Sequence, residues 1–261
     1  MVSAQAQAPA DFQGWMNRGV EAFKIAQYQT AADAFQRAID LNPGIAAAHL
    51  YLATVHMQQW IPGAVSAESI AHAQAAETEF RRTLDLDPRN AVAFGSLASL
   101  SYNQAFDADP REKARRFAEA RDWSQRLISL EPRNKDPYFM LGVIAWQEWH
   151  PSLLAARAQL GMRPEDRGPL PNPEIRRDLK SRYLPTIEDG IRNLERAMEI
   201  DPDYDDAMAY MNLLVRERGD LRDTREEYLQ DVVEADRWVQ KALEVKKKKA
   251  QAASSRSIII H

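Results

Sequence analysis

The residues best equipped for chemistry stand in "GVIAWQEWHP", residues 142–151, where Trp146 and Trp149 flank Gln147 and Glu148 and His150 follows. A carboxylate beside an imidazole is the material of general acid–base catalysis, and imidazole nitrogens are the commonest metal ligands. The spacing works against both uses. Glu148 and His150 are two apart, and positions i and i+2 of a helix do not face each other. Five histidines occur, at 49, 56, 72, 150 and 261. His49 and His56, seven apart, share one helix face but lie about 10 Å apart along its axis, too far for one ion. The acidic run "DPDYDD" at 201–206 reads as a helix start, where the dipole favours Asp and Glu. No H-E-x-x-H, G-x-S-x-G or phosphate loop is present. No catalytic residue, metal ligand or cofactor is expected, and an enzyme or metal-binding protein is the most distant reading.

These side chains must be positioned by a helical scaffold. A chain of 261 residues with 45% hydrophobic and 28% charged residues has the composition of a soluble globular protein. Only 10 glycines occur, few for a sheet protein with many tight turns, and alanine is abundant. The net charge of −4 offers no basic field for nucleic acid. Without cysteine, disulfides and thiolate metal sites are excluded. No apolar run reaches the roughly 18–20 residues of a membrane span. The start, "MVSAQAQAPA", lacks the basic flank and apolar core of a signal peptide. Its alternating small residues resemble the end of one, so the compartment is left open between cytoplasm and an exported, periplasmic or envelope location. Residues 1–11 are expected to be a disordered leader.

Four phrases punctuate the chain: "DLNP" to Pro43, "DLDP" to Pro88, "SLEP" to Pro132 and "EIDP" to Pro202. Each closes an amphipathic stretch and precedes another, the pattern of helix, proline-marked stop, helix. Within residues 15–43, Trp15, Gly19, Ala31, Phe35, Ala38 and Pro43 stand at the offsets of the tetratricopeptide pattern. This stretch resembles a tetratricopeptide repeat, with Arg18 and Ala22 departing from the usual Leu and Tyr. Leu52, Ala53, Ala76 and Phe80 continue the register, then Leu97, Ala98 and Ala120, then Leu141, Gly142, Gly190 and Ala197, and a fifth repeat spans Met211 to Ala242.

The resemblance implies an all-α fold, a right-handed α-solenoid of antiparallel helix pairs in about five repeats over residues 12–245. Family repeats are 34 residues long. Here the closing prolines are 45, 44 and 70 residues apart, so longer helices or turns are expected. The fourth repeat holds an insertion at about 151–173, read as a short helical piece and a Pro/Gly-rich loop. A basic, flexible tail is expected over 246–261, beginning with "KKKK" at 246–249.

Such proteins line a concave groove with first-helix side chains. Four residues after the shared small position stand Phe23, Met57, Tyr102, Trp146 and Arg216; one further stand Lys24, Gln58, Asn103, Gln147 and Glu217. The resemblance implies a peptide-binding groove of Phe23, Met57, Gln58, Tyr102, Asn103, Phe139, Trp146 and Gln147. Its amides would pair with peptide main chain, while Trp60 and Trp149 pack structurally. The carboxylate clamp of chaperone-binding relatives is missing, its positions being Met16, Val20, Tyr51, Val92 and Ser96, so a chaperone C-terminus is not expected as ligand. The function expected is a non-enzymatic scaffold that binds another protein or peptide. The alternative is a self-assembling structural or regulatory subunit of a larger, cell-envelope complex, with homo-oligomers allowed.

Overall fold

The computed structural model describes residues 11–163 and 166–258. Most of the expected leader, residues 1–10, and the last three residues lie outside them. The described residues form ten α-helices, one 3₁₀ turn at Ala105–Asp107 and no strand. The chain divides into two compact units, Met1–Leu130 and Glu131–His261.

The first unit holds three helix pairs: α1 (Phe12–Lys24) with α2 (Tyr28–Leu41), α3 (Ala46–Gln59) with α4 (Ala67–Leu86), and α5 (Ala91–Gln104) with α6 (Pro110–Leu130). The second holds α7 (Lys135–Gln159) with α8 (Pro173–Ile200), and α9 (Asp205–Gly219) with α10 (Arg225–Ile258). Helices α2, α4, α6 and α8 each end two residues before Pro43, Pro88, Pro132 and Pro202. Proline cannot continue the helix, because its ring fixes φ and removes the N–H. The next helix then starts from a capping side chain in two cases, α5 and α7, and α8 starts from one after the irregular segment. Asn90 accepts from Ala93 N–H at 3.0 Å, Asn134 from Asp136 N–H at 3.0 Å, and Asn172 from Ile175 N–H at 3.0 Å. Such a cap satisfies N–H groups the helix itself leaves unpaired.

Small residues set how closely the pairs approach. A Cβ added at Gly19 would fall 2.5 Å from the Phe35 ring, and one at Gly142 would fall 2.4 Å from Leu194 Cγ. The extra length of the second and third repeats lies in α4 and α6, of 20 and 21 residues against 14 in α2, and in the turn at 60–66. In the fourth repeat, residues 151–159 do not form a separate helical piece. They continue α7 through Pro151, and the irregular segment begins at Leu160. Trp149 is wholly buried in the second unit's core with Leu194, Met211 and Leu214. Trp60 is half-buried against the core of α3 to α6.

The lysine run differs from the expected tail. Residues 246–258 continue α10. Lys248 Nζ lies 3.1 Å from Asp203, and Lys249 pairs with Asp205. The run and "DPDYDD" therefore meet: Asp205 and Asp206 open α9, as their position predicts, and Asp203 and Asp205 also face α10.

Candidate functional site

The first-helix positions of the first unit fall on α1, α3 and α5. Phe23 is half-buried, edge-on to Tyr28 with ring centroids 5.7 Å apart. Met57 is half-buried against the core while Gln58 beside it is exposed. Tyr102 packs against Phe106 and Phe117 at 5.1 and 5.9 Å. Asn103 turns its amide back on its own helix, donating to the Ser99 carbonyl at 2.8 Å.

In the second unit Phe139, Trp146 and Gln147 lie on α7. Phe139 meets Tyr204 and Tyr210 at 5.0 and 5.6 Å, and Trp146 meets the same Tyr210 at 5.7 Å. Both rings are thus fastened to α9. Trp146 stacks on His150, one turn along α7, with centroids 4.4 Å apart. Its indole N–H donates to Glu217 Oε1 at 3.1 Å, and His150 Nδ1 lies 2.8 Å from the same oxygen. Glu217 belongs to the fifth repeat, at the offset that Gln147 occupies in the fourth.

Around this carboxylate lies a cavity of about 610 Å³. Helix α7 contributes His150, Leu153 and Arg157; α9 contributes Arg216 and Glu217, and Asp220 caps its end; α10 contributes Tyr228 and Asp236. The insertion supplies a wall, with Asp166, Arg167 and Gly168. Its placement follows from hydrogen bonds. Arg157 donates to the carbonyls of Arg163 and Asp166 at 3.3 and 2.7 Å while its other nitrogen binds Asp220 at 3.0 Å. Leu170 is fully buried, and its N–H donates to the Asp220 carbonyl at 2.9 Å.

Burial sets the electrostatics of the site. It pushes the Glu217 carboxyl above the ordinary range, outweighing the N–H of Trp146 and the pull of His150. Burial likewise pushes Asp220 up to about 6, against the attraction of Arg157. Glu217 Oε2 is buried without a hydrogen-bond partner among the described residues. Arg216 pairs with Asp236 at 2.6 Å. Arg167 and Arg225 also line the cavity, are exposed, and have no ion pair or hydrogen bond among the described residues.

The structure also brings together residues that sequence spacing separates. His56 Nδ1 on α3 lies 3.1 Å from His72 Nδ1 on α4, and His49 Nδ1 lies 2.6 Å from Glu79. The signal is symmetry about a turn. His56 and His72 each stand eight residues from position 64, and His49 and Glu79 each stand fifteen from it. In an antiparallel pair, such residues sit level.

Residues 12–45 match the family profile of the tetratricopeptide repeat. They are a tetratricopeptide repeat. The whole chain resembles solved structures of MamA: one is 18% identical with a TM-score of 0.60, covering 92% of this chain and 94% of that one. A second has 18% identity, a TM-score of 0.57 and coverage of 89% and 96%. MamA from Desulfovibrio magneticus RS-1, residue 41 to its end, has 12% identity, a TM-score of 0.56 and coverage of 93% and 98%. At these identities the likeness is one of fold: all-α helix pairs of the tetratricopeptide solenoid type. No curated protein matches in sequence. Repeats of this family typically serve protein–protein interaction. Among the described residues no helix is long and apolar enough to cross a membrane.

Proposed function

We propose that this chain is a non-enzymatic interaction module that receives an extended segment of a partner protein along its first helices. The observation that carries the reading is the cavity of the second unit. It is lined by Arg216 and Glu217, the fifth-repeat members of the first-helix series, beside the Trp146 cluster. A cavity built at the family's ligand-facing positions is a binding site on physical grounds: it is concave, partly apolar and holds a few fixed polar groups.

Its charges give the segment a sign. Asp220 is matched by Arg157, Asp236 by Arg216, Asp166 by Arg163, and Glu217 faces His150. Arg167 and Arg225 are left over, so acidic side chains suit the cavity. In the first unit, Gln58 is the exposed amide able to meet a peptide main chain, at about 0.5–1.5 kcal/mol net per bond. Phe23, Met57 and Tyr102 would offer apolar contact beside Gln58 and Asn103. Phe139 and Trp146 would offer theirs beside Gln147.

The test is capture from the source organism's lysate, with mass spectrometry. Wild type is run beside a Gln58→Ala, Asn103→Ala, Gln147→Ala variant and an Arg167→Glu, Arg225→Glu variant, each shown to keep its helical signal. A partner held by wild type and lost by either variant supports the reading. A partner held equally by all three overturns the assignment of the site, and recovery of the chain alone favours self-assembly.

A further inference from the structure

The contact between His56 and His72 has no part in the binding reading. Their Nδ1 atoms face each other at 3.1 Å, with ring centroids 5.4 Å apart, across the α3–α4 pair. Two ligands held about 2.0–2.1 Å from a tetrahedral Zn²⁺ lie about 3.3 Å from each other. We infer that His56 and His72 form a two-imidazole site for a divalent transition-metal ion, which fastens α3 to α4 beside the turn that joins them.

Several features support the geometry. Each residue is anchored on an α-helix, so the bite between the nitrogens is set by the packing of α3 on α4. Both rings are half-buried, leaving water access to complete the coordination sphere. Without metal, one Nδ1 must carry a proton and donate to the other. Metal binding needs only that this proton move to Nε2 of its own ring, so the neutral pair loses none. Glu79 supplies negative charge near His56. His49 does not compete for the ion, because its Nδ1 lies 2.6 Å from Glu79 and its Nε2 lies 3.1 Å from the Pro43 carbonyl.

Among the described residues no cluster of three or more metal-binding side chains is assembled. The site is thus open, with two protein ligands and water in the remaining positions. Half the ligand set of a structural zinc site places affinity on the order of 1–100 μM. Preference follows ligand type and the divalent series: Cu²⁺ above Ni²⁺ and Zn²⁺, and all three above Mg²⁺ or Ca²⁺. The consequence for the first unit is local. His56 immediately precedes Met57 and Gln58, so an ion on it fixes the end of α3 from which those two side chains project.

The experiment uses the full chain without an affinity tag, stripped of metal and titrated with Zn²⁺ at pH 7.5 and pH 5.5. One Zn²⁺ per chain is expected at pH 7.5, with a melting temperature raised by roughly 5 °C at saturation. Affinity should fall at least about tenfold in His56→Ala and in His72→Ala, stay unchanged in His150→Ala, and collapse at pH 5.5 as the imidazoles protonate. Should either alanine variant lose its fold, the wild-type imidazole nitrogen spectrum decides: Zn²⁺ must shift both Nδ1 resonances and leave both Nε2 sites protonated. The inference is overturned by an absence of saturable binding below about 1 mM, by binding unchanged in both variants, or by Nδ1 resonances that do not move.

Discussion

The two units present the same first-helix positions with different chemistry. In the first, Met57, Gln58, Tyr102 and Asn103 are uncharged: Met57 packs on the core, Tyr102 packs against Phe106 and Asn103 bonds to its own helix, while the charged Lys24 pairs with Glu21 on its own helix. In the second, the corresponding Trp146, Arg216 and Glu217 are bound to one another or to ionic partners on a neighbouring helix. The insertion accounts for much of the difference. Where no segment follows the first helix of a pair except a short turn, its face stays open and neutral side chains suffice. Where Asp166, Arg167 and Gly168 of the insertion line the second unit's cavity, they help wall it off and bury carboxylates. A buried charge must find a partner or change its protonation state, and Glu217 and Asp220 do both.

The contrast is sharpest in the cores. Trp149→Ala should cost the second unit about 3–5 kcal/mol, because the indole is fully buried among Leu194, Met211 and Leu214. Urea unfolding followed at the indole NMR signals of Trp123 for the first unit and Trp238 for the second would separate the two. An equal loss in both units would break the division drawn between them.

The units should also answer pH with opposite sign. Asp220 has a folded pKa of about 6, above its ordinary value, so its contribution is full at low pH and is lost as pH rises through 6. The amount is about 2–3 kcal/mol, and Glu217 acts in the same sense. His56 has a lowered pKa, so its contribution is present above its ordinary 6.5 and is lost on acidification. Moving from pH 7.5 to 5 should steady the second unit and weaken the first, and Asp220→Asn should flatten the second unit's response. Parallel slopes would refute the contrast.

Glycine substitutions give a smaller split. Gly142→Ala drives a methyl group to 2.4 Å from Leu194 Cγ and should destabilise the second unit by about 1–3 kcal/mol. Gly95→Ala in α5 meets nothing closer than Leu127 at 3.6 Å, an ordinary contact. It should stabilise the first unit by about 0.5–1 kcal/mol through helix propensity. Thermal melts of the two variants check the signs. Least of all, Gln58→Ala at its exposed site should change stability by under about 0.5 kcal/mol, which leaves that variant clean for binding work.

Much of the helical plan was legible. The four prolines mark helix ends because their ring excludes continuation, and Gly19, Gly142 and Ala38 mark close approach because larger side chains would clash. These are local or fixed-offset signals. The candidate site was legible only in part. The series containing Trp146 and Glu217 could be listed by register, but nothing in it says that the indole of one donates to the carboxylate of the other. The His56–His72 pair and the meeting of "KKKK" with "DPDYDD" arise between helices, so their signal is distance from a shared turn. Pro151 misleads for a physical reason. It removes one hydrogen bond from α7, but packing on α8 carries the helix on to Gln159.

Arg157 has one more consequence. The guanidinium that neutralises Asp220 also grips the carbonyls of Arg163 and Asp166, so one side chain holds the segment leading to the exposed Arg167. A protease must draw several residues of extended chain into its cleft, and gripped backbone resists that. Trypsin cutting after Arg167 is therefore a clock on this grip. It should run slowly in the intact protein, faster once Arg157 is shortened to alanine, and slowest of all when a bound segment covers Arg167 itself.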